Sequence, residues 1–305
     1  MRMKLGAVLG GLCLAVAGSV SAQSITIPHR QGEVTLDSRP ERVVVMDWAN
    51  VDNLDALGVS ILGVPGSNAP EYLSKFRSDD YLKLGSLQEP DVEGIAAADP
   101  DLVIVAARSR QSQPQLNRIA PTVDLSIDND DFIDSVTANI TELGEIFGKE
   151  DRAAEMNAEL RSKVDRLHDA VQGKGRALTL VTSGGKIGVY GPESRTGWLH
   201  KEVGFPSVLD DVDDRSDRGD AASYEFILET NPDWIFVVDR DTAIAAEGGQ
   251  AAAALLDNEL VHQTTAWKEG HIVYLDPQKA YIVMNGYQAV SDLLDQVYEA
   301  VTADS

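Results

Sequence analysis

Three arginines that follow predicted core strands are the side chains of this chain best suited to chemistry. Arg108, Arg195 and Arg240 each come just after a run of apolar residues typical of a buried strand. In open α/β sheets, ligands bind beyond the carboxyl ends of the strands, so we expect all three to face one cleft. A guanidinium group donates hydrogen bonds in a planar fork, which suits a delocalised oxygen anion. Each arginine could instead pair with a neighbouring carboxylate, since exposed ion pairs are common and weak.

The overall charge of the chain makes these arginines more informative. The chain has 305 residues and a formal net charge of −23. Residues 1–22 contain Arg2 and Lys4 and no acidic residue, so without them the charge changes from −23 to −25. Such a surface repels nucleic acid and anionic lipid headgroups, which argues against both as partners. An anionic ligand would also be repelled at long range and would need a local cluster of arginines.

Two aromatic residues accompany the arginines at the predicted cleft. Trp48 follows the apolar run at residues 43–46, and Tyr281 comes after Asp276-Pro277 in a loop that can reach the cleft. A tyrosine there can stack, form hydrogen bonds or, as a phenolate, ligate a hard metal such as ferric iron. Tyr281 could equally be a packed loop aromatic, because large aromatic side chains bury well in many positions.

The sequence lacks the usual signatures of catalysis. It contains no G-x-G-x-x-G after a strand, no Walker A motif, no G-x-S-x-G and no H-E-x-x-H. The five histidines do not cluster along the chain, which disfavours a zinc site. Cys13 is the only cysteine, so the chain after residue 22 has neither disulfides nor thiol chemistry. We therefore expect a protein that is not an enzyme.

A repeated segment positions two of the arginines. Residues 92–108 match residues 224–240 at a constant offset of 132, so that Arg108 corresponds to Arg240. Each copy reads as a short helix, a Pro-Asp turn and a continuous apolar strand of the kind that is covered on both faces. The sequence therefore predicts two similar α/β lobes with an arginine just past the same strand in each.

Glu93 and Glu225 occupy matching positions in the two copies, at the start of each predicted helix. Carboxylates at helix N-termini are stabilised by the helix dipole, and this alone would explain them. Their equivalent placement on two lobes also suits a two-point contact with a symmetric partner.

Alternating strand and helix patterns predict a mainly parallel sheet with helices on both faces. Residues 132–171 differ, because they contain no proline and place apolar residues at helical spacing. They predict two helices, the second about twenty residues and roughly 30 Å long. We expect an α/β fold of two Rossmann-like lobes, residues 23–148 and 174–305, joined by one long α-helix within residues 149–173.

The first 22 residues read as a secretory signal peptide. Arg2 and Lys4 precede a short apolar run, and the segment ends in Val20-Ser21-Ala22, an A-x-A-like cleavage site. The apolar run is too short for a stable bilayer span, although a membrane anchor is the alternative. We expect cleavage before Gln23 and a soluble mature chain.

Eight motifs, met in order along nearly the whole mature chain, resemble those of the periplasmic iron-siderophore binding proteins of ABC importers. The resemblance is greatest to the catecholate type, which takes enterobactin- and petrobactin-like siderophores. The motifs are PERVVV (40–45), PDLVI (100–104), GPESR (191–195), EFIL (225–228), NPD (231–233), VVDR (237–240), LDN (256–258) and YLDP (274–277).

The resemblance implies two lobes with a shallow cleft and little hinge motion. It implies that Arg108, Arg195 and Arg240 form a positive floor that receives the catecholate oxygens. Tyr281 is then a candidate direct ligand to iron when the siderophore leaves coordination sites open. Relatives have an iron-ligating histidine in the loop before the second repeat, whereas this chain has Arg218 there, which adds a fourth arginine to the candidate site.

The resemblance also implies a partner, because Glu93 and Glu225 match glutamates that dock onto arginines of an inner-membrane permease dimer. We predict a periplasmic, monomeric solute-binding protein with no intrinsic cofactor and no membrane insertion, which delivers a ferric siderophore to an ABC importer. The alternatives are the same fold binding haem, cobalamin or a hydroxamate siderophore, a secreted α/β hydrolase, and a docking-only module.

Overall fold

The first half of the chain builds a five-stranded parallel sheet beside a small antiparallel hairpin. A computed structural model describes residues 24–209, 220–246 and 248–303. The strands of this half are β1 (Ile25–His29), β2 (Gly32–Leu36), β3 (Val43–Val45), β4 (Gly63–Val64), β5 (Leu82–Lys83), β6 (Leu102–Val105) and β7 (Thr122–Asp124). Its helices are α1 (Trp48–Ala56), α2 (Val92–Ala98), α3 (Gln113–Leu116), α4 (Phe132–Phe147) and α5 (Glu150–Val171). Strands β1 and β2 pair with each other, and the sheet has the spatial order β5-β4-β3-β6-β7.

The second half builds another five-stranded sheet, with the spatial order β10-β9-β8-β11-β12. Its strands are β8 (Ala177–Ser183), β9 (Lys186–Tyr190), β10 (Asp220–Ala222), β11 (Trp234–Asp239) and β12 (Ile272–Tyr274). Its helices are α6 (Trp198–Lys201), α7 (Tyr224–Thr230), α8 (Arg240–Ala243), α9 (Ala252–Leu256), α10 (Thr265–Lys268) and α11 (Tyr287–Thr302). The predicted α/β fold of two lobes is confirmed.

The second sheet is mixed rather than mainly parallel, which corrects the sequence-based expectation. Strands β8 and β9 run antiparallel and are joined by Gly184-Gly185. Both glycines have positive φ, +59° and +70°, the backbone of the tight hairpin turn that best matches the twist of the flanking strands. A two-glycine turn between apolar runs is itself a hairpin signal, so this reversal was readable from the sequence.

The two repeat copies adopt the same local structure. A side-chain oxygen caps the N-terminus of each helix, from Asp91 at α2 and from Ser223 at α7. Each helix then ends in a left-handed residue, Asp99 or Asn231, which turns the chain into a fully buried strand. Strands β6 and β11 hold equivalent places in their sheets, so residues just past them have equivalent positions too.

The aspartate of each Pro-Asp turn fastens its repeat to the start of another strand. The carboxylate of Asp101 accepts hydrogen bonds from the backbone N–H groups of Glu41 and Arg42, just before β3. In the second half, Asp233 accepts one from the N–H of Arg176, just before β8. The Pro-Asp pair therefore sets the register of β6 against β3 and of β11 against β8.

Two helices, α5 and α11, connect the halves. Apolar side chains of both helices belong to a buried cluster that contains core residues from the two sheets. On α5, Lys163 binds Asp295 of α11, while the hydroxyl of Tyr287 on α11 donates to Glu159 of α5. None of the helices in the described part of the chain has both the length and the apolar composition that crossing a bilayer requires.

The N-terminus of α11 is capped by side chains from the first half of the chain. The carboxylate of Asp52, on α1, accepts hydrogen bonds from the N–H groups of Gln288 and Ala289, and Asn53 accepts one from the N–H of Tyr287. The hydroxyl of Tyr72 also donates to Asp52 at 2.9 Å. Burial raises the pKa of Asp52 to about 6 in spite of these donors.

Replacing Asp52 by Asn should reduce the pH dependence of stability. A raised pKa in the folded state means that Asp52 favours folding most at low pH, and that this contribution is lost as pH rises through about 6. The loss amounts to roughly 3 kcal/mol for a shift of about two pH units. Urea unfolding at pH 4 and pH 7 should therefore show a smaller difference for Asp52→Asn than for the unmodified protein. Asp151→Asn, which changes an exposed carboxylate, is the control and should keep the full difference between the two pH values. An equal difference in the free energy of unfolding for both variants would contradict the assignment.

Candidate functional site

Three guanidinium groups from both halves surround one tyrosine ring. The guanidinium carbons of Arg108, Arg195 and Arg240 lie 5.3, 5.2 and 5.6 Å from the ring centroid of Tyr281. These are cation–π distances, and all four side chains are partly exposed. The structure therefore brings together four of the six residues that the sequence placed at a cleft between the lobes, and we name these four the arginine cluster.

Tyr281 is carried by a single turn of π-helix, Lys279–Val283, which follows β12. Such turns are rare and are frequently found at functional sites. Lys279, at the start of this turn, binds Asp292 at 2.7 Å and Asp276 at 3.6 Å. Its positive charge is thus directed toward α11, and Tyr281 is the side chain of the turn that meets the arginines.

Arg108 joins the halves by hydrogen bonds to backbone. Its Nη2 donates to the carbonyl of Tyr281 at 2.7 Å, and its Nη1 donates to the carbonyl of Ile282 at 3.2 Å. Burial raises the pKa of Asp47, the N-cap of α1, and the positive charge of Arg108 opposes that rise. Arg108 is therefore a cation of the cluster and also holds the Tyr281 turn in place through these hydrogen bonds.

Arg240 makes its contacts within the second half. Its Nε donates to the Tyr281 hydroxyl at 3.0 Å, and its Nη1 donates to the hydroxyl of Ser183 at 3.3 Å. The buried carboxylate of Asp241 lies 3.5 Å from the same Nη1 and also accepts from the N–H of Gly184. This carboxylate offsets part of the Arg240 charge and leaves its Nε directed at the phenol oxygen.

Arg195 reaches the cluster by a route that the sequence did not predict. Strand β9 runs antiparallel to β8, with Tyr190 opposite Thr179, so its carboxyl end lies at the opposite end of the sheet from that of β8. Arg195 follows in the Gly191–Gly197 segment, stacks 5.8 Å from the Tyr190 ring and donates from Nη1 to the Met284 sulfur at 3.3 Å. Its place beside Tyr281 thus depends on the loop and the length of the side chain.

Trp48 does not line the cleft, which corrects the expectation that it contacts ligand. The side chain is fully buried in the core, and its indole Nε1 donates to the carbonyl of Ser67 at 3.0 Å. Helix α1 begins at Trp48, so the chain turns there and directs the indole inward. The fourth predicted arginine, Arg218, lies outside the described residues.

Glu93 and Glu225 are both exposed in the first turn of their helices. Hydrogen bonds from its own backbone N–H and from Ser223 lower the pKa of Glu225 and keep it ionised. The two glutamates are therefore negative charges at structurally equivalent places on the two lobes.

A second candidate site, a cavity in the described part of the chain, is less suited to binding an anion. A cavity of about 540 Å³ lies at α4, α5 and α6, lined by Asp130, Asp131, Ile133, Asp134, Arg161, Val164, Asp165, Lys201 and Glu202. Acidic groups outnumber basic ones there, so an anion would be repelled. Within residues 24–209, 220–246 and 248–303, no group of three or more His, Cys, Asp or Glu side chains is arranged to hold a metal ion.

Comparisons with known proteins agree on one protein family. The family model described as periplasmic binding protein matches residues 43–279. The petrobactin-binding protein YclQ of Bacillus subtilis is 34% identical over 284 residues, covering 92% of this chain and 89% of that protein. The ferric-anguibactin-binding protein FatB of Vibrio anguillarum is 31% identical, covering 90% of this chain and 86% of that protein.

A solved structure agrees with these sequence relatives. The periplasmic catecholate-siderophore binding protein VctP of Vibrio cholerae superimposes with a TM-score of 0.85 at 33% identity. The match covers 90% of this chain and 99% of that one. The similarity therefore extends over both lobes, and the family model's range includes Arg108, Arg195 and Arg240.

Arg108→Ala should destabilise the protein more than Arg240→Ala. The first change removes two charged hydrogen bonds to backbone carbonyls of the Tyr281 turn, which we expect to lower the free energy of unfolding by about 1–3 kcal/mol. The Arg240 side chain bonds only to other side chains, and without it Asp241 still accepts a hydrogen bond from the N–H of Gly184. Chemical denaturation of both variants measures the difference, and equal losses would contradict the fastening role of Arg108.

Proposed function

The chain belongs to the periplasmic binding protein family, and on that premise we propose that it captures a ferric siderophore with catecholate arms. It then delivers this ligand to an ABC importer of the inner membrane. The observation that carries the proposal is the arginine cluster, with three guanidinium carbons within 5.6 Å of the Tyr281 ring. A bound anion would relieve the mutual repulsion of these three cations.

Electrostatics supports an oxygen-rich anion as the ligand. A cation about 4 Å from an anion gains roughly 4 kcal/mol before desolvation at an effective dielectric constant near 20. Ferric complexes of catecholates carry delocalised negative charge on phenolate oxygens, which matches the planar donors of arginine. The Tyr281 ring adds a surface on which an aromatic ring of the ligand can stack.

The names of the relatives point in the same direction. YclQ is named for petrobactin, FatB for ferric anguibactin and VctP for catecholate siderophores. These relatives favour a ferric siderophore over haem or cobalamin for the present chain. They are also named as binding proteins, which favours capture without catalysis over the hydrolase alternative.

Direct contact between the protein and iron would pass through Tyr281. Its hydroxyl accepts a hydrogen bond from Arg240, so the phenol oxygen lies within the arginine cluster. Tyr281 would complete the coordination of a siderophore that leaves iron sites open. A siderophore that already fills six positions would meet the same phenol only as a hydrogen-bonding and stacking partner.

Location and partner complete the proposal. Residues 1–22 act as a cleaved signal, residues 23–148 and 174–305 form the lobes, and residues 149–173 connect them. The mature protein works as a periplasmic monomer, and Glu93 and Glu225 meet basic side chains on the two subunits of the permease. Their equivalent positions on α2 and α7 support this two-point docking.

Loss of the arginines should abolish ligand binding. Titration with a ferric catecholate should quench tryptophan fluorescence, and each of Arg108→Ala, Arg195→Ala and Arg240→Ala should weaken binding by about 10- to 100-fold, since one charged hydrogen bond contributes roughly 1.5–3 kcal/mol. The triple variant should show no saturable binding. Arg118→Ala removes an exposed arginine outside the cluster and is the control. Intact binding by a folded triple variant would refute the site.

Loss of the two glutamates should block delivery but not capture. Glu93→Gln with Glu225→Gln should leave the affinity for the ferric catecholate unchanged, because both residues lie outside the cluster. Transport by the cognate importer in proteoliposomes should fall by at least tenfold, whereas Glu89→Gln with Glu229→Gln should transport normally. Normal transport by the first double variant would refute the docking role.

A further inference from the structure

Met284 adopts a backbone conformation that residues other than glycine rarely adopt. Its φ and ψ are +61° and −67°, and the N–H of Asn285 bonds to the carbonyl of Val283 at 2.7 Å across it. This is a γ-turn of the strained kind, and strain of this sort is concentrated at ligand-binding sites. Ala107, which directly precedes Arg108, also has positive φ, +43°. Non-glycine residues with positive φ thus stand on both sides of the contact between Arg108 and the Tyr281 turn.

The strained turn places a sulfur atom among the arginines. The Met284 Sδ lies 3.3 Å from Nη1 of Arg195 and 4.0 Å from Nη2 of Arg108. Arg108 comes from the first half of the chain and Arg195 from the second. The thioether therefore contacts two arginines of the cluster that are held by different lobes. The Met284 side chain is partly exposed, which leaves surface for a ligand.

A thioether at this place has a definite chemical preference. Sulfur is a weak hydrogen-bond acceptor, so it contacts the guanidinium groups without neutralising them as a carboxylate would. It is also polarisable and packs favourably against aromatic rings. Met284 and the Tyr281 ring together make the arginine cluster suitable for an aromatic ring as well as for an anion.

We infer that Met284 is a specificity-determining residue of the site, which selects ferric complexes with catechol rings over those with aliphatic carboxylate or hydroxamate arms. This inference rests on the proposed function and deepens it, since the arginines alone would accept any of these oxygen anions. The backbone strain at Met284 is the structural cost of holding the sulfur against the site.

Met284→Gly separates strain from selectivity. Glycine accepts positive φ freely, so the variant should melt about 2 °C higher than the unmodified protein. Its dissociation constant for a ferric bis-catecholate should rise about 3- to 10-fold, while that for ferric citrate should change less than twofold. Met284→Leu keeps the side-chain size and the strain but lacks sulfur, so its melting temperature should stay within about 1 °C and its catecholate affinity should fall about 2- to 3-fold.

The control is Asp99→Gly, which introduces glycine at a positive φ of +48° at the end of α2 and should not alter ligand preference. A Met284→Gly protein that binds the ferric bis-catecholate within twofold of the unmodified protein would overturn the inference. So would a fall in stability with equal changes for both ligands, as a purely structural residue would give. If the unmodified protein itself does not bind the ferric bis-catecholate, the proposed function fails first.

Discussion

Mutual repulsion among three guanidinium groups is the constraint on which the site depends. Arginines this close to one ring are stable only when each has compensating contacts, and the structure supplies a different set to each. Arg108 has backbone carbonyls, Arg240 has a phenol oxygen and a buried carboxylate, and Arg195 has an aromatic face and a sulfur atom. Each of the three cations is therefore held by a different kind of neighbouring group, which offsets part of their mutual repulsion.

The repeated architecture explains how two of these arginines come to equivalent positions. Asp101 and Asp233 attach the two repeat copies to their sheets in the same way, and strands β6 and β11 hold equivalent places in the strand order. Arg108 and Arg240 therefore approach Tyr281 from matching places in the two lobes. A single structural unit, used twice, provides the frame, and the differences in chemistry come from the residues that follow each copy.

The sequence predicted those features that depend on periodicity and chain order. The two lobes, the long helix and the placement of Arg108 and Arg240 all follow from apolar patterns and from the rule for parallel strand ends. Arg195 was grouped with them by the same rule, although β9 runs antiparallel and the rule does not apply to it. Trp48 was misplaced because α1 starts at that residue and turns the indole into the core. No sequence pattern marks Met284, whose role depends on its backbone angles.

The capping of α11 by Asp52 and Asn53 has a consequence for biosynthesis. The first half of the chain completes its packing only when a helix made from the last residues reaches it, because the partners in these hydrogen bonds are more than two hundred positions apart. The earlier half of the chain therefore cannot form these hydrogen bonds until α11 has been synthesised, in contrast to proteins whose domains mature one by one.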